Sequence, residues 1–500
     1  MPTMPDEVTC TISGVTGPST SGEIGALGAA EAGPGIGVGQ RAALLVRGGH
    51  VITMDPGAGD IPSGDVLVSG GTIAAVGTGL TAPPGATELD ATGMIVAPGL
   101  VDTHWHMWNT LLRGMSEGGP GYFRLCRSLG PAFGAEDVYQ GTLLGCAEAI
   151  SSGITTVHDW CHNIRTLAHA EAGLRALAEA GLRARSSYGY PAAHPNDQAM
   201  DLAGLRRLHA EWAGRGTDGL LSLGMAWRGP GGSDPAMRVP AAIYRQEIDT
   251  ARELGIPVTV HACGPRAAAG QIGMLADAGL LGPDLQVVHA NWATEAEIGQ
   301  LAAAGCPVTI SPWSEILVGY GLPRTRELLA AGIPVGLSVD TTALTGNADM
   351  FAIMKLTQGL ANAAAEDEFA LTARRTLALA TIDGARSLGL AEMTGSLSPG
   401  KRADLIVVSA TGPNLGMVTD PAQLLVTAAQ PANVDTVIVD GQVLKRGGVL
   451  TTLDAERIGR DAQRALNGVL ARQGPVVRCA GRGSYPPGPG AELDAASARP

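Results

Sequence analysis

Eight short apolar runs, separated by longer Ala- and Leu-rich stretches, fill the middle of the chain. The runs span residues 95–104, 153–160, 182–190, 219–227, 256–264, 285–292, 306–313 and 333–340. This alternation is typical of repeated βα units, whose strands form a parallel sheet. Eight units in about 300 residues match the size of a closed (β/α)8 TIM barrel. The sequence therefore predicts an α/β fold built on a barrel over residues 97–396.

Short β-rich runs with Gly-Gly turns lie on both flanks of this region, at 43–54, 65–77, 403–410 and 434–450. Because the ends of a domain often lie close together, we expect these runs to pair into one small β-sandwich domain formed by residues 41–96 and 397–452. A C-terminal helix is predicted at 453–473. Residues 1–40 and 474–500 are rich in Gly, Pro, Ser and Ala and are predicted to be flexible tails.

The composition and charge of the chain indicate which kinds of binding partner to expect. Hydrophobic residues make up 45% of the chain and charged residues 16%, which is typical of a globular protein. A formal net charge of -13 without a basic run argues against nucleic acid. No apolar stretch of about 18 residues and no secretory signal are recognisable, so we expect no membrane association and a cytoplasmic location.

Polar residues stand at the ends of the apolar runs and not at their beginnings. They include His104, His106, His261, His289 and Asp340. In such barrels the carboxyl ends of the strands form the active-site face. The His-x-His spacing places two imidazoles on one side of a strand, where both can reach one ion. Imidazoles and a carboxylate directed at one barrel mouth predict a site for a divalent transition metal, Zn²⁺ or Fe²⁺.

Several motifs together resemble the amidohydrolase superfamily, in the branch of the triazine hydrolases, guanine deaminase and adenosylhomocysteine deaminase. They are VAPGLVDTHWH at 96–106, TLLRG at 110–114, the histidines that close the fifth and sixth runs, SVD at 338–340 and GSLSPGKRADLIVV at 395–408. The resemblance covers roughly residues 42–450.

The resemblance implies roles for the residues at the strand ends. His104, His106 and His261 would be neutral imidazole ligands and Asp340 the carboxylate ligand of one divalent metal ion per chain, with Zn²⁺ favoured and Fe²⁺ the alternative. The fourth run contains no lysine to bridge a second ion. Asp340 would also take a proton from water, and His289 would polarise the substrate, so both are predicted catalytic residues. No organic cofactor is expected.

The sequence departs from the deaminases of this branch at one position. They usually carry His-x-x-Glu after the fifth strand, whereas this chain has Gly264 three residues after His261. Loss of that acid favours substrates that need only water activation and carbonyl polarisation. We therefore expect hydrolysis of a C–N bond in an amide, cyclic amide, urea or carbamate.

Two alternatives remain open from the sequence. One is a heterocycle deaminase or dechlorinase in which Asp159 or Glu315 replaces the missing acid. The other is a non-hydrolytic lyase or a binding protein on the same scaffold. The expected partner is a small molecule, and the resemblance implies a homodimer. The predicted substrate-binding residues are Trp105, Trp108, Asp159, Trp292, Trp313 and Glu315.

Overall fold

The computed structural model describes residues 43–116, 121–191, 194–212, 219–231 and 238–473. The predicted tails at 1–40 and 474–500 lie outside these ranges. The described strands are β1 (Leu44–Val51), β2 (Ile61–Ser69), β3 (Thr72–Gly77), β4 (Thr87–Asp90), β5 (Met94–Pro98), β6 (Leu100–Trp105), β7 (Ile154–Cys161), β8 (Arg183–Tyr188), β9 (Leu221–Trp227), β10 (Val258–Ala262), β11 (Leu285–His289), β12 (Val308–Ile310), β13 (Val335–Leu337), β14 (Leu405–Ser409), β15 (Val434–Val439), β16 (Gln442–Arg446) and β17 (Val449–Leu450).

Helices connect most of these strands. They are α1 (Tyr122–Leu129), α2 (Ala135–Ser151), α3 (Leu167–Ala180), α4 (Leu202–Trp212), α5 (Ala241–Glu253), α6 (Gln271–Asp277), α7 (Glu295–Ala304), α8 (Pro312–Leu317), α9 (Thr325–Ala330), α10 (Thr342–Thr345), α11 (Met350–Ala365), α12 (Ala373–Leu379), α13 (Ile382–Ser387), α14 (Pro421–Thr427) and α15 (Ala455–Gln473). Within the described ranges, none of them has both the length and the apolar character needed to cross a membrane.

Strands β6 to β13 form an eight-stranded parallel sheet in chain order. The strands consist mainly of buried residues, as expected where helices cover the outside of a parallel barrel. Helix boundaries carry the usual signals. In α7, the Thr294 hydroxyl and the Glu297 carboxylate cap each other's backbone amides, and Gly305 ends the helix with a φ of 67°. The predicted TIM barrel is confirmed.

The barrel closes where the first strand meets the segment after the last one. The backbone N–H of Asp340 donates to the carbonyl of His104 at 2.9 Å, and the N–H of His106 donates to the carbonyl of Asp340 at 2.6 Å. The carboxylate of Asp102 accepts from the N–H groups of His104 and Val339, each at 3.0 Å. Asp102 is fully buried, so its carboxylate fixes the two ends of the barrel sheet to each other.

The other sheet of the structure is mixed and has nine strands. Eight of them follow the order β17-β16-β15-β14-β5-β1-β2-β3, and the ninth, β4, pairs with β1. This sheet joins strands from both flanks, because β5 pairs antiparallel with β14. Buried side chains of both halves, including Val46, Val68, Val96, Leu405 and Ile438, share one core. The strands from both flanks thus form one separate mixed sheet beside the barrel, as the pairing of the two flanks predicted.

One expected strand is in fact two strands. The apolar run 95–104 divides at Gly99, so that β5 lies in the mixed sheet and β6 opens the barrel. A Cβ at Gly99 would lie 2.0 Å from Oγ1 of Thr155, so only glycine allows this close approach. The domain boundaries at 96/97 and 396/397 stay a prediction. Helix α15 spans Ala455–Gln473, inside the segment predicted to be helical.

Arg183 joins the barrel to the mixed sheet through a buried ion-pair network. Its Nε donates to Oδ2 of Asp404 at 2.6 Å, and its Nη2 donates to Oδ1 of Asp404 at 3.1 Å and to Oδ1 of Asp440 at 3.3 Å. All three side chains are at most 2% exposed. Removing one member would leave buried charge without its partner.

We predict that Arg183→Ala lowers the free energy of unfolding by about 3–5 kcal/mol, because the buried carboxylate of Asp404 loses its counter-charge, whereas Asp440 keeps its contact with Arg402. Chemical denaturation followed by circular dichroism measures the change. The matched control is Arg175→Ala, which removes an exposed ion pair with Glu136 and should cost at most about 1 kcal/mol. Equal effects of the two variants would contradict the proposed role of the buried network.

Candidate metal centre

Four side chains from three strand ends form one cluster in the barrel mouth. His104 and His106 come from the end of β6, His261 from the end of β10, and Asp340 from the segment after β13. One ligand atom from each of the four lies within 4.8 Å of those of the other three. The four residues predicted as metal ligands are therefore neighbours in space, although their binding of an ion stays a prediction.

The spacing of these atoms suits a small cation. Nε2 of His104 lies 3.2 Å from Nε2 of His261, and Oδ1 of Asp340 lies 3.4 Å from Nε2 of both His104 and His106. Bonds of about 2.0–2.2 Å to a tetrahedral ion place ligands roughly 3.3–3.6 Å apart. Because the Nε2 atoms of two neutral imidazoles face each other, a cation between them would be bound by both lone pairs. The cluster fits a divalent metal site.

The surroundings of the candidate ligand histidines favour the neutral imidazole, which is the form that binds a metal. Burial, followed by the charges of neighbouring histidines, lowers the pKa values of His104 and His261 well below the ordinary value. Burial also lowers the pKa of His106. Nδ1 of His106 lies 2.8 Å from the carbonyl of Trp160. Donation there leaves the Nε2 lone pair for the ion.

Asp340 is fixed in an orientation that directs one oxygen toward the histidines. Its backbone φ of 63° is uncommon for a non-glycine residue. The Ser314 hydroxyl donates to Oδ2 at 2.5 Å, while Oδ1 faces His104 and His106. The carboxylate therefore has one oxygen available to a metal and one bound by the protein.

His289 stands beside the cluster and is held by Glu315. Nδ1 of His289 lies 3.0 Å from Oε1 of Glu315, which also accepts from the backbone N–H of Ser311 at 2.8 Å. Asn291 donates to the other oxygen at 3.2 Å. Burial alone would lower the pKa of His289, but the hydrogen bond and charge of Glu315, together with Asp340, raise it. His289 is thus held as a proton donor.

The position of the missing acid is filled by an aromatic ring. A Cβ at Gly264 would lie 2.8 Å from Cε2 of Tyr320 and 3.3 Å from Cδ2 of His289. The ring of Tyr320 packs edge-on against that of His289, with centroids 5.2 Å apart. Any side chain at residue 264 would have to displace Tyr320.

Asp159, Trp105 and Trp108 are buried, and the predicted contacts of these residues with a substrate stay predictions. Asp159 alternates with the inward-facing His158 and Trp160 on β7, so it faces the helices, where it accepts from the N–H of Met107 at 3.3 Å. Burial raises its pKa to about 7. Trp105 and Trp108 are at most 1% exposed. They belong to the hydrophobic core.

The remaining predicted substrate residues have different surroundings. Trp292 is 37% exposed and Trp313 39% exposed. Nε1 of Trp292 donates to the carbonyl of Tyr320 at 2.6 Å. Trp292 and Tyr320 line a cavity of about 420 Å³. Glu315 is fully buried and bonded to His289. It therefore supports His289 instead of forming a surface for substrate.

Sequence reasoning missed several residues of this centre. Asp102, Ser314, Tyr320 and His162 are not among the predicted site residues. Nδ1 of His162 lies 2.9 Å from Nδ1 of His106. For Asp102 a signal existed, because it is a charged residue inside an apolar run two positions before His104. Nothing in the sequence relates Ser314 or Tyr320 to their neighbours.

The fold and this cluster are those of a TIM barrel with a candidate divalent-metal site at the carboxyl ends of its strands. The sequence model of the amidohydrolase family matches residues 95–444. The chain belongs to the amidohydrolase family.

Curated relatives match over nearly their whole length. The chain is 31% identical over 444 residues to 5'-deoxyadenosine deaminase of Methanosarcina mazei, covering 86% of this chain and 99% of that protein. It is 33% identical over 446 residues to 5-methylthioadenosine/S-adenosylhomocysteine deaminase of Desulforudis audaxviator, covering 85% and 99%. These relatives act on carbon–nitrogen bonds of small molecules.

Solved structures share the architecture. An adenosine deaminase from Xanthomonas campestris with bound zinc superposes with a TM-score of 0.76 at 27% identity, covering 86% of this chain and 98% of that one. Atrazine chlorohydrolase from Arthrobacter aurescens in complex with zinc superposes with a TM-score of 0.73 at 23% identity, covering 85% and 100%. The second likeness supports the fold alone.

We predict that His104→Ala lowers the bound metal from about one equivalent per chain to a small fraction of that, because one of four ligands is lost. Elemental analysis of protein dialysed against buffer measures it. The control is His194→Ala, since Nε2 of His194 lies 3.1 Å from the carbonyls of Gln198 and Ala199 and His194 is not part of the cluster. Full metal content in His104→Ala would exclude this cluster as the metal site.

Proposed function

We propose that this protein uses one Zn²⁺ ion per chain to hydrolyse an amide-type C–N bond of a small molecule, such as an amide, cyclic amide, urea or carbamate. The observation that carries the proposal is the pairing of Gly264 with Tyr320. The acid that deaminases of this branch usually carry is absent, and an aromatic ring fills its place beside His289. Fe²⁺ is the alternative metal, since its preferred ligands overlap with those of Zn²⁺.

The proposed chemistry divides the work between three groups. When bound, the ion lowers the pKa of water and polarises the substrate. Asp340 accepts the proton of the attacking water through its carboxylate and passes it to the leaving nitrogen. His289 donates to the substrate oxygen, on which negative charge develops. With Nδ1 bonded to Glu315, Nε2 of His289 is the nitrogen left for this contact.

The surroundings of the two candidate replacement acids favour this proposal over heterocycle deamination. Asp159 faces the helix layer, where a Cβ at Gly173 would lie 3.9 Å from its Oδ2. Glu315 uses both oxygens on His289, Ser311 and Asn291. Neither carboxylate is free to protonate a ring nitrogen. An amide-type substrate needs no such acid, because its oxygen can be polarised by His289.

Deamination remains the second candidate, because the curated relatives are named as deaminases of purine nucleosides. A dechlorination of the same type would need the same acid. A lyase or a binding protein on this scaffold is the third candidate. The cytoplasmic location, the homodimer and the substrate contacts of Trp292 and Trp313 stay predictions from the sequence.

A substrate panel separates these candidates. Zinc-loaded protein in heavy-oxygen water is offered lactams, ureas, carbamates and amino- or chloro-heterocycles, and the products are analysed by mass spectrometry. We expect a C–N bond of an amide-type substrate to be cleaved, with one heavy oxygen in the product. Release of ammonia or chloride from a ring substrate alone would contradict the amide proposal. A product without heavy oxygen would indicate a lyase.

We predict that Glu315→Gln lowers kcat by about 10²–10³-fold while the metal content is retained, because His289 loses the charge that holds its proton. The variant lowers the pKa of His289, so the alkaline limb of the kcat profile should move to lower pH. The control is Glu297→Gln, since Glu297 caps α7. An unchanged pH profile in Glu315→Gln would exclude this role of Glu315.

A further inference from the structure

A second polar cavity lies at the opposite end of the barrel from the histidine cluster. Its volume is about 470 Å³, and its rim includes residues that precede β10 to β13, such as Pro257, Pro283, Pro307 and Pro334. Inside the barrel it is lined by His158, Arg185, Ser187, Thr259, Gln286 and Ser387. Barrel interiors of this class are normally filled by branched aliphatic side chains. The polar lining at this end therefore needs an explanation.

Arg185 is the charged residue at the centre of this lining. It projects from β8 and is 7% exposed. Gly224 on the neighbouring strand makes room for it. A Cβ at Gly224 would lie 3.2 Å from Cδ of Arg185 and 2.6 Å from Oγ of Ser187. The glycine thus opens the space into which the guanidinium extends.

The guanidinium of Arg185 has few partners for a buried charge. Nη2 donates to the carbonyl of Leu388 at 2.5 Å, whereas Nε has no hydrogen-bond partner in the described part of the chain. Arg183, two residues earlier on β8, is bonded to two carboxylates. Among the described residues, no carboxylate forms an ion pair with Arg185. Burial lowers the pKa of Arg185 only to about 10, so it stays charged at neutral pH.

The other charged groups on this cavity are already paired. Asp284 accepts from Nε of Arg252 at 2.8 Å, and Arg386 contacts Asp383. Neither pair supplies the negative charge that Arg185 lacks. A buried cation without a counter-charge is costly, and the cost is recovered when an anion binds.

The neighbouring polar groups on this cavity are hydrogen-bonded to each other or to the backbone. The hydroxyl of Ser187 lies 2.8 Å from Nε2 of His158, whose Nδ1 lies 3.0 Å from the carbonyl of Thr103. Donation from His158 Nδ1 to that carbonyl makes Nε2 an acceptor for Ser187. The amide nitrogen of Gln286 lies 3.4 Å from Oγ of Ser387. These hydroxyl and amide groups already donate within the protein, so the guanidinium of Arg185, whose Nε has no partner among the described residues, is the donor left for the oxygens of a carboxylate or a phosphate.

We propose that this cavity binds a small oxyanion, with Arg185 as its counter-charge. The site is separate from the metal cluster and lies at the amino ends of the barrel strands. Its ligand chemistry is that of inorganic phosphate or of a small carboxylate. The proposal does not depend on which C–N bond the protein hydrolyses.

The test is isothermal titration of zinc-loaded protein with phosphate, sulfate and malonate, with chloride as the reference salt at equal ionic strength. We expect saturable binding of at least one oxyanion. Arg185→Met should abolish it, and Arg185→Lys should weaken it at least tenfold, because lysine cannot form the planar double contact. Phosphate preferred over malonate would identify a phosphate site, and the reverse order a carboxylate site. Arg175→Gln, which removes an exposed charge on α3, should bind like the wild type.

Thermal unfolding gives a second, independent measurement. Without added oxyanion, Arg185→Met should melt at the wild-type temperature or above it, because an unpaired buried charge is removed. With oxyanion, only the wild type and Arg175→Gln should gain stability. The proposal is overturned if the wild type binds none of the oxyanions. Equal affinity in Arg185→Met would likewise overturn it, because the anion would then bind elsewhere, as at the metal.

Discussion

The buried carboxylate of Asp102 is the contact on which the active end of the barrel depends. It accepts one hydrogen bond from the backbone of His104 and one from that of Val339, next to Asp340. Two of the four candidate metal ligands are therefore positioned by the same group that closes the barrel. Burial raises the pKa of Asp102 well above the ordinary value, and the two N–H donors oppose that shift. The same carboxylate therefore joins the two ends of the barrel sheet and positions two of the candidate ligands.

Around this closure, three of the functional side chains, Asp340, His106 and His289, are held by a partner from another strand end. Ser314 binds the second oxygen of Asp340, Trp160 offers its carbonyl to His106, and Glu315 orients His289. His289 and Asp340 have positive φ values, so the backbone turns sharply at both residues. Such conformations cost of order 1–3 kcal/mol each. The surrounding hydrogen bonds offset that cost and fix the geometry before a substrate arrives.

The barrel and the face that carries the polar side chains were predictable from periodicity, whereas the choice of the four candidate ligands came from the family resemblance. Apolar runs of similar length predict strands, and polar residues at their ends predict one face. The same alternation would have shown that Asp159 and Trp105 face away from neighbours such as His158 and His104. The break at Gly99 was hidden within a continuous apolar run. Tyr320 and Arg185 could not be placed, since their surroundings depend on loop conformation and on contacts between distant strands.

The central claim is that His104, His106, His261 and Asp340 hold one divalent ion. X-ray absorption spectroscopy of the zinc-loaded protein tests it most directly, because it reports the ligand atoms and their distances. We expect only nitrogen and oxygen atoms bound to the ion, at about 2.0–2.2 Å, together with the scattering of the more distant ring atoms of three imidazoles. A sulfur ligand at about 2.3 Å, or fewer than two imidazoles, would contradict it.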